Sequence, residues 1–323
     1  MTGSTRWLKP IGLSFLLLAT IGVGYQQWSE WRDARAFPMP GRLINVGDHR
    51  LHIWCLGHGS PTILMLAGGG SPSVNSYDLQ AQLATTSPVC SYDRAGLGWS
   101  DPPKQAMGLP QVAADLESLL SRSGEKGPYV LVPESFGGMV ALTMATRTPD
   151  QVAGIVAVDA SEPDSWHRLS GPMCTPGKMR DHMWQIAWRV GLVRALFESQ
   201  APAWVANMSP KVHGQFAAIW SRPMASFAND WIDAYQQTPS SELPKTLPGL
   251  LGNKPLIVIS HGRSGEYLSR EFEKSWPQAQ EAWTKLSTRG EHLIARDNGH
   301  PIAQENPQLV ADAVAQVVAD LRH

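Results

Sequence analysis

The chain has 323 residues and a formal net charge of −1, with 27 basic against 28 acidic side chains. That balance leaves no electrostatic footprint for nucleic acid; a 43% hydrophobic content excludes general disorder; and 29 Gly with 25 Pro, without a G-X-Y period, exclude collagen. At ~150 residues per domain the length suggests two domains, although single α/β domains often run longer.

Residues Met1–Pro10 carry Arg6 and Lys9 and no acid, and the fifteen residues Ile11–Tyr25 carry no charge. A bilayer span takes ~20 residues, and Trp7 and Trp28 as interfacial anchors would stretch this one to about that length. Segment 1–27 is therefore expected to be a membrane anchor or the apolar part of a cleaved signal peptide. A good small-x-small site directly after Tyr25 is missing, and a buried soluble helix is the third reading. With Arg6 and Lys9 held inside, both export readings put the rest of the chain outside the cytoplasm. It is periplasmic if the anchor stays and secreted if the segment is cleaved. Segment 28–41, polar and ending in Phe37-Pro-Met-Pro-Gly41, reads as a linker.

Arg42–Val46 and Arg50–Leu56 flank Gly47-Asp48-His49, a hairpin signal. The apolar runs Pro61–Ala67, Pro88–Tyr92, Tyr129–Val132, Val152–Val158, Pro255–Ser260 and His292–Ala295 follow, uninterrupted as in strands of a parallel sheet buried on both faces. Helical patterns alternate with them at Gln111–Leu120, Phe136–Arg147 and Pro307–Leu321. That alternation predicts an α/β sheet with right-handed crossovers. Asp164–Pro248 breaks it with six Trp (166, 184, 188, 204, 220, 231) and five Met (173, 179, 183, 208, 224). Met179, Met183, Ile186, Val190, Val193 and Phe197 step by four and three, as on one amphipathic helix. The expected organisation is a core over 42–163 and 249–323, with a helical cap over 164–248 inserted between its parts.

The run Tyr129-Val-Leu-Val-Pro-Glu-Ser135-Phe-Gly-Gly-Met-Val carries a strand into a tight turn and then a helix, with Ser135 at the apex. That is a nucleophile elbow. Small residues beside the serine let helix and strand pack closely, and the turn exposes the hydroxyl. A serine there needs a base to take its proton; the bland alternative is that Ser135 only caps the helix. The elbow fold orders its triad Ser, acid, His. His300, in Asp297-Asn-Gly-His-Pro301 between the last strand and the last helix, is therefore the expected base, with His261 its competitor. An oxyanion hole takes two backbone N–H groups. Phe136 follows the nucleophile and supplies one. In the loop Ala67-Gly-Gly-Gly70, Gly69 is the expected second donor, and a plain glycine turn is the alternative. No HExxH, CxxC or phosphate loop occurs, so no metal or cofactor is implied.

Tyr92-Asp-Arg-Ala-Gly-Leu-Gly-Trp-Ser-Asp101, Ser135-Phe-Gly-Gly and Gly299-His300 together resemble the α/β-hydrolase superfamily, most closely its membrane-anchored or secreted bacterial branch. The resemblance runs from Phe37 to the end and is weakest across the cap. It implies an eight-stranded, mostly parallel sheet with helices on both faces, and it implies that Asp93 and Arg94 brace the loops beneath the site. Three departures stand out: Pro133 where Gly is usual, Glu134 where His is frequent, and Ala67 in place of the His of the His-Gly loop. Proline lacks a strand N–H, so the strand is expected to end at Val132. The superfamily usually carries its acid after the seventh strand, but Ser260-His-Gly-Arg-Ser-Gly-Glu266 holds no Asp. The candidates are Asp159, closing Ile-Val-Ala-Val-Asp at the end of the sixth strand, and Glu266. The family strand order places the second strand beside the fourth, so Cys55 and Cys90 can meet as a disulfide, leaving Cys174 free.

The resemblance implies a serine hydrolase forming an acyl-enzyme, a carboxylesterase acting on a small apolar or aromatic ester. Relatives that are haloalkane dehalogenases or epoxide hydrolases use an Asp nucleophile, against which Ser135 argues. Lactonase, peptidase and perhydrolase chemistry stay open because fold does not fix function. A catalytically silent binding protein, with Pro133 and Glu134 as marks of drift, is the reading from another class.

Overall fold

The computed structural model describes residues 5–164, 178–197, 201, 203–223, 230–264 and 270–322. Among these residues, strands β1 (Arg42–Asn45), β2 (Arg50–Leu56), β3 (Thr62–Leu66), β4 (Val89–Tyr92), β5 (Tyr129–Pro133), β6 (Val152–Val158), β7 (Leu256–His261) and β8 (Gly290–Ala295) form one eight-stranded sheet. Its order is β1-β2-β4-β3-β5-β6-β7-β8, antiparallel at β1–β2 and β2–β4 and parallel elsewhere. The helices are α1 (Thr5–Ala36), α2 (Tyr77–Leu83), α3 (Leu109–Ser123), α4 (Gly137–Arg147), α5 (Lys178–Arg189), α6 (Leu192–Ala195), α7 (Pro210–Trp220), α8 (Asp230–Gln237), α9 (Arg270–Thr284), α10 (Ile302–Glu305) and α11 (Pro307–Asp320).

Strand side chains alternate between two faces, and over β3 to β7 both faces are buried. Leu64 and Leu66 join Leu131, Val140 and Trp283 on the side of α3, α4 and α9. Ile63 and Met65 join Val130, Val156, Val310 and Val314 on the side of α2 and α11. This two-sided burial is why the strands read as unbroken apolar runs. A third cluster centres on Phe216 of α7, with Trp188, Val193 and Phe197, and rests on Val74, Tyr77 and Leu97 of the core.

β5 runs one residue past Val132, the end expected from Pro133. The Glu134 N–H donates to Leu66 O of β3 at 3.0 Å, so the amide that Pro133 lacks would face β6, where the ladder with β5 ends at Leu131–Ile155. The pairing with β6 skips the proline and resumes beyond it, in the Glu134–Val158 bridge and the Ser135 N–H donated to Val158 O. Cys55 and Cys90 are register partners across β2 and β4, joined by a disulfide with Cα atoms 4.1 Å apart. Cys174 lies outside the described residues.

Two expectations are corrected at the N-terminus. No helix among the described residues is long and apolar enough to cross a membrane, which overturns the membrane anchor and the membrane as a partner through segment 1–27. The uncharged run is too short and is diluted by Gly12, Ser14, Thr20, Gly22 and Gly24. The helix then continues through Glu30, Arg32, Asp33 and Arg35 to Ala36, so most of the expected linker 28–41 is helical. The stripe that α1 buries is polar. Gln26 Nε2 donates to Ser221 O at 2.7 Å, and Arg194 Nη1 donates to Asp33 Oδ2 at 2.5 Å. The amphipathic helix expected from Met179 to Phe197 is also broken, at Gly191 with φ +71°, into α5 and α6. Met183 and Ile186 are exposed, while Trp188, Val193 and Phe197 are buried.

Candidate active site

Ser135 stands between the end of β5 and the start of α4 with φ +49°, a left-handed conformation rare for a residue with a side chain. Such backbone strain persists only where its surroundings over-determine it, and here they do. Ser135 N donates to Val158 O at 3.3 Å, and its own carbonyl accepts from Gly138 N at 2.9 Å and Ser161 N at 2.8 Å. The two glycines after Phe136 are required by close approach. A Cβ on Gly137 would lie 2.0 Å from Leu66 O, and one on Gly138 would lie 2.4 Å from Ser161 O.

The His300 loop brings its imidazole to the serine. His300 Nε2 lies 3.0 Å from Ser135 Oγ, and Nδ1 lies 2.6 Å from Asp159 Oδ2. The loop is held by Gly299 N donating to Glu305 Oε2 at 2.7 Å and by Asn298 O accepting from Arg263 N at 3.0 Å. Asp159 follows β6, also with positive φ, +45°. Its carboxylate is fully buried and accepts four hydrogen bonds. Trp276 Nε1 at 2.7 Å and His261 N at 3.1 Å donate to Oδ1; His261 Nδ1 and His300 Nδ1, each at 2.6 Å, reach Oδ2. Burial alone would raise its pKa, but the hydrogen bonds and charges of His261 and His300 override burial and hold it at about 2.

The sequence therefore named three residues that the structure brings into one hydrogen-bonded line: Ser135, His300 and Asp159. Glu266 lies outside the described residues. His261, the competing base, sits on the same Asp159, and its Nε2 faces Glu273 Oε2 at 3.0 Å, so neither ring nitrogen serves Ser135. Burial pushes this imidazole down, but the two carboxylates outweigh it and raise its pKa to about 9. Sequence reasoning missed Glu273 and Trp276, both on α9; its one usable signal was a histidine closing the strand beside β6.

The loop Ala67–Gly70 lies between Ser135 and α8. A Cβ on Gly68 would touch Ser135 Cβ at 3.4 Å, and one on Gly69 would lie 2.7 Å from Trp231 Cδ1. Arg94 braces the loop, donating to Ala67 O at 2.6 Å and Gly68 O at 2.5 Å, with its ring-side contact to Phe136 at 5.0 Å. Its Nε donates to Asp230 Oδ2 at 2.7 Å, and Asp230 Oδ1 accepts from Gly70 N at 2.7 Å. Asp93 does comparable work on the neighbouring turn, accepting from Ser73 N at 2.6 Å, Trp99 N at 3.1 Å and the His52 ring at 2.8 Å. Glu134 points its carboxyl at the Gln304 amide. Burial, with Asp159 nearby, raises its pKa against the opposing pull of His300 and Gln304.

Asp159, His261 and His300 also offer three metal-type donors close together. Two donors on one tetrahedral zinc, at ~2.0–2.1 Å bonds, stand about 3.3 Å apart. The 2.6 Å contacts from each Nδ1 to Asp159 Oδ2 are hydrogen-bond distances.

This eight-stranded, mostly parallel sheet flanked by helices is the α/β-hydrolase fold. Residues 61–180 match the family model described as alpha/beta hydrolase fold. Over 304 residues the chain is 27% identical to an uncharacterized protein of Schizosaccharomyces pombe, spanning 83% of this chain and 53% of that one. It superposes on a thermophilic esterase from Thermogutta terrifontis with a TM-score of 0.63 at 20% identity, covering 85% of this chain and 95% of the esterase. On the Cif epoxide hydrolase from Acinetobacter nosocomialis the TM-score is 0.69 at 12% identity, covering 92% and 96%. The chain spans about half the length of the curated relatives it matches.

Proposed function

We propose that the protein is a serine hydrolase that cleaves a small carboxylic ester through an acyl-enzyme on Ser135. The observation that carries this reading is the line Ser135 Oγ–His300 Nε2–His300 Nδ1–Asp159, with hydrogen-bond separations of 3.0 and 2.6 Å, at a serine held in left-handed backbone. In this reading His300 takes the hydroxyl proton as Ser135 attacks the ester carbonyl, while Asp159 holds the imidazole tautomer and stabilises the imidazolium. The N–H groups of Phe136 and Gly69 receive the developing oxyanion. His300 returns its proton to the departing alcohol, then deprotonates the water that releases the acid and restores Ser135.

Segment 164–248 acts in this reading as a cap, supported by Trp231 against Gly69 and Asp230 on Gly70 N. A hydroxyl nucleophile favours ester cleavage over the epoxide chemistry of some fold neighbours, which the resemblance assigns to an Asp. An extracytoplasmic setting is supported by the Cys55–Cys90 disulfide, since such bonds persist in oxidising compartments.

A fluorophosphonate probe followed by peptide mapping tests the mechanism, and a panel of p-nitrophenyl esters of graded acyl length tests the substrate class. Labelling confined to the Ser135 peptide, together with turnover of short or aromatic esters, is expected. Folded protein that neither labels nor turns over any ester would refute the reading in favour of a silent binding protein.

A further inference from the structure

Asp159 serves two histidines, and only one of them touches Ser135. The second, His261, stands between two acids, with Nδ1 2.6 Å from Asp159 Oδ2 and Nε2 3.0 Å from Glu273 Oε2. Its side chain is 4% exposed, so water is largely excluded from both contacts. A neutral imidazole carries one N–H and one lone pair. In that state one carboxylate would face a lone pair at hydrogen-bond distance. With both acids ionised, the two contacts are satisfied together only when both nitrogens carry protons, one donated to Asp159 and the other to Glu273.

We propose that His261 is a positioning residue for the Ser135–His300–Asp159 line: locked as an imidazolium between Glu273 and Asp159, it fixes the Asp159 carboxylate and opposes a second positive charge on His300. The catalytic half of this statement rests on the serine-hydrolase reading; the protonation half does not. The raised pKa of His261, about 9, agrees with the geometry. Fixing follows from the carboxylate's contacts. Its four acceptor directions are filled, two by the ring and backbone N–H of His261 and one by Trp276, whose indole lies along the His261 ring with centroids 6.2 Å apart. The fourth aims at His300. Charge opposition follows from distance, since the His261 and His300 rings are 6.4 Å apart. Among the described residues, the remaining ionisable groups around the pair are Glu273 on α9, His292 on β8, which bonds Ser260, Glu134 after β5, and Arg263, which is paired with Glu305. Among these only Arg263 carries a permanent positive charge.

With the His261 charge removed, protonating His300 beside Asp159 becomes easier. Two unit charges at this separation with an effective dielectric of ~20 shift a titration midpoint by about one to two pH units. The acid limb of kcat/KM, a property of the coupled Asp159–His300 pair, therefore moves to higher pH by that amount in His261→Asn. Asparagine keeps a donor for Asp159 and lacks the charge, so a merely structural role leaves the limb in place.

The direct test needs no substrate. Nitrogen-15 NMR of the wild-type imidazoles should find both His261 nitrogens protonated up to about pH 8. The protonation midpoint of the Asp159–His300 pair, followed at the His300 ring protons, should rise in His261→Asn by the amount given above. A His261 that is neutral at pH 7.5 in the wild type overturns the proposal, as does a midpoint unmoved in a folded His261→Asn. Should His261→Asn fail to fold, the wild-type spectrum alone decides. Absence of ester turnover with His261 protonated would defeat the functional reading and leave the charge lock standing.

Discussion

Replacing Asp159 with Asn removes the acceptor that organises the site, and its cost has a defined dependence on pH. In the folded chain Asp159 titrates at about 2, against an ordinary value of 3.8. A depression of that size corresponds to roughly 2–3 kcal/mol of folding stability. The pKa is lowered by folding, so this stability is fully present above about pH 4 and is lost as the pH falls through about 2. The same contact seen from the imidazole has the opposite sense. His261 is raised from 6.5 to about 9, so its contribution is full below pH 6.5 and is lost as the pH rises through 9. It is one contact seen from two sides and counts once. Between pH 4.5 and 6.5 the Asn variant should therefore be less stable by about 3–5 kcal/mol, the usual cost of breaking a buried ion pair, and the gap should narrow toward both extremes. Urea unfolding of wild type and variant from pH 3 to 10 measures this difference directly. Turnover should fall by roughly 10⁴, since an asparagine favours the wrong tautomer of the base. A stability gap that stays constant with pH would show that the paired charges are not its source. Near wild-type turnover would remove Asp159 from the proposed mechanism.

Ser135→Ala should lower kcat by about 10⁴ or more and abolish fluorophosphonate labelling, with circular dichroism and melting temperature essentially unchanged; residual wild-type turnover in the purified variant would end the serine mechanism. Cys55→Ser with Cys90→Ser should lower unfolding free energy by ~3–4 kcal/mol for the 35-residue separation the bridge closes, and reductant should destabilise the wild type but not the double variant. Asp230→Ala leaves the buried Arg94 without its carboxylate partner and should destabilise the fold by about 3–5 kcal/mol, while raising KM for esters through the loosened Ala67–Gly70 loop. Steady-state kinetics and thermal melts would expose the reasoning as wrong if both quantities held.

The central strands β3 to β7 were legible because both sheet faces are covered there, so each reads as a short apolar run set off by helical or polar segments. Ser135 and His300 were legible for a related reason: an elbow and a strand-to-helix loop each confine a reactive side chain to a few local positions. Asp159 was harder, since a carboxylate ending a strand has many uses, and the argument for it came from the missing Asp after β7. The partners of Asp159 on α9 were not legible. Nothing local to Glu273 or Trp276 marks them, because their roles depend on how α9 lies across the ends of β6 and β7. The N-terminal segment misled for another reason. Its apolar run attracts attention in sequence, yet the contacts that seat α1 are made by Gln26 and Asp33 on its polar stripe, whose partners Ser221 and Arg194 lie about 160–200 positions away.

Arg94 is shared by three parts of the chain: its own turn after β4, the carbonyls of Ala67 and Gly68, and Asp230 at the start of α8. The position of α8 and the order of the glycine loop are therefore thermodynamically linked, and linkage is reciprocal. A molecule that seats itself against the Gly69 amide and stiffens the loop must draw α8 down by the same free energy with which a docked α8 improves its binding. Lifting α8 away would strand a guanidinium among carbonyls and leave the Gly70 amide without its acceptor. Docking of α8 and ordering of the Ala67–Gly70 loop thus become a single cooperative event.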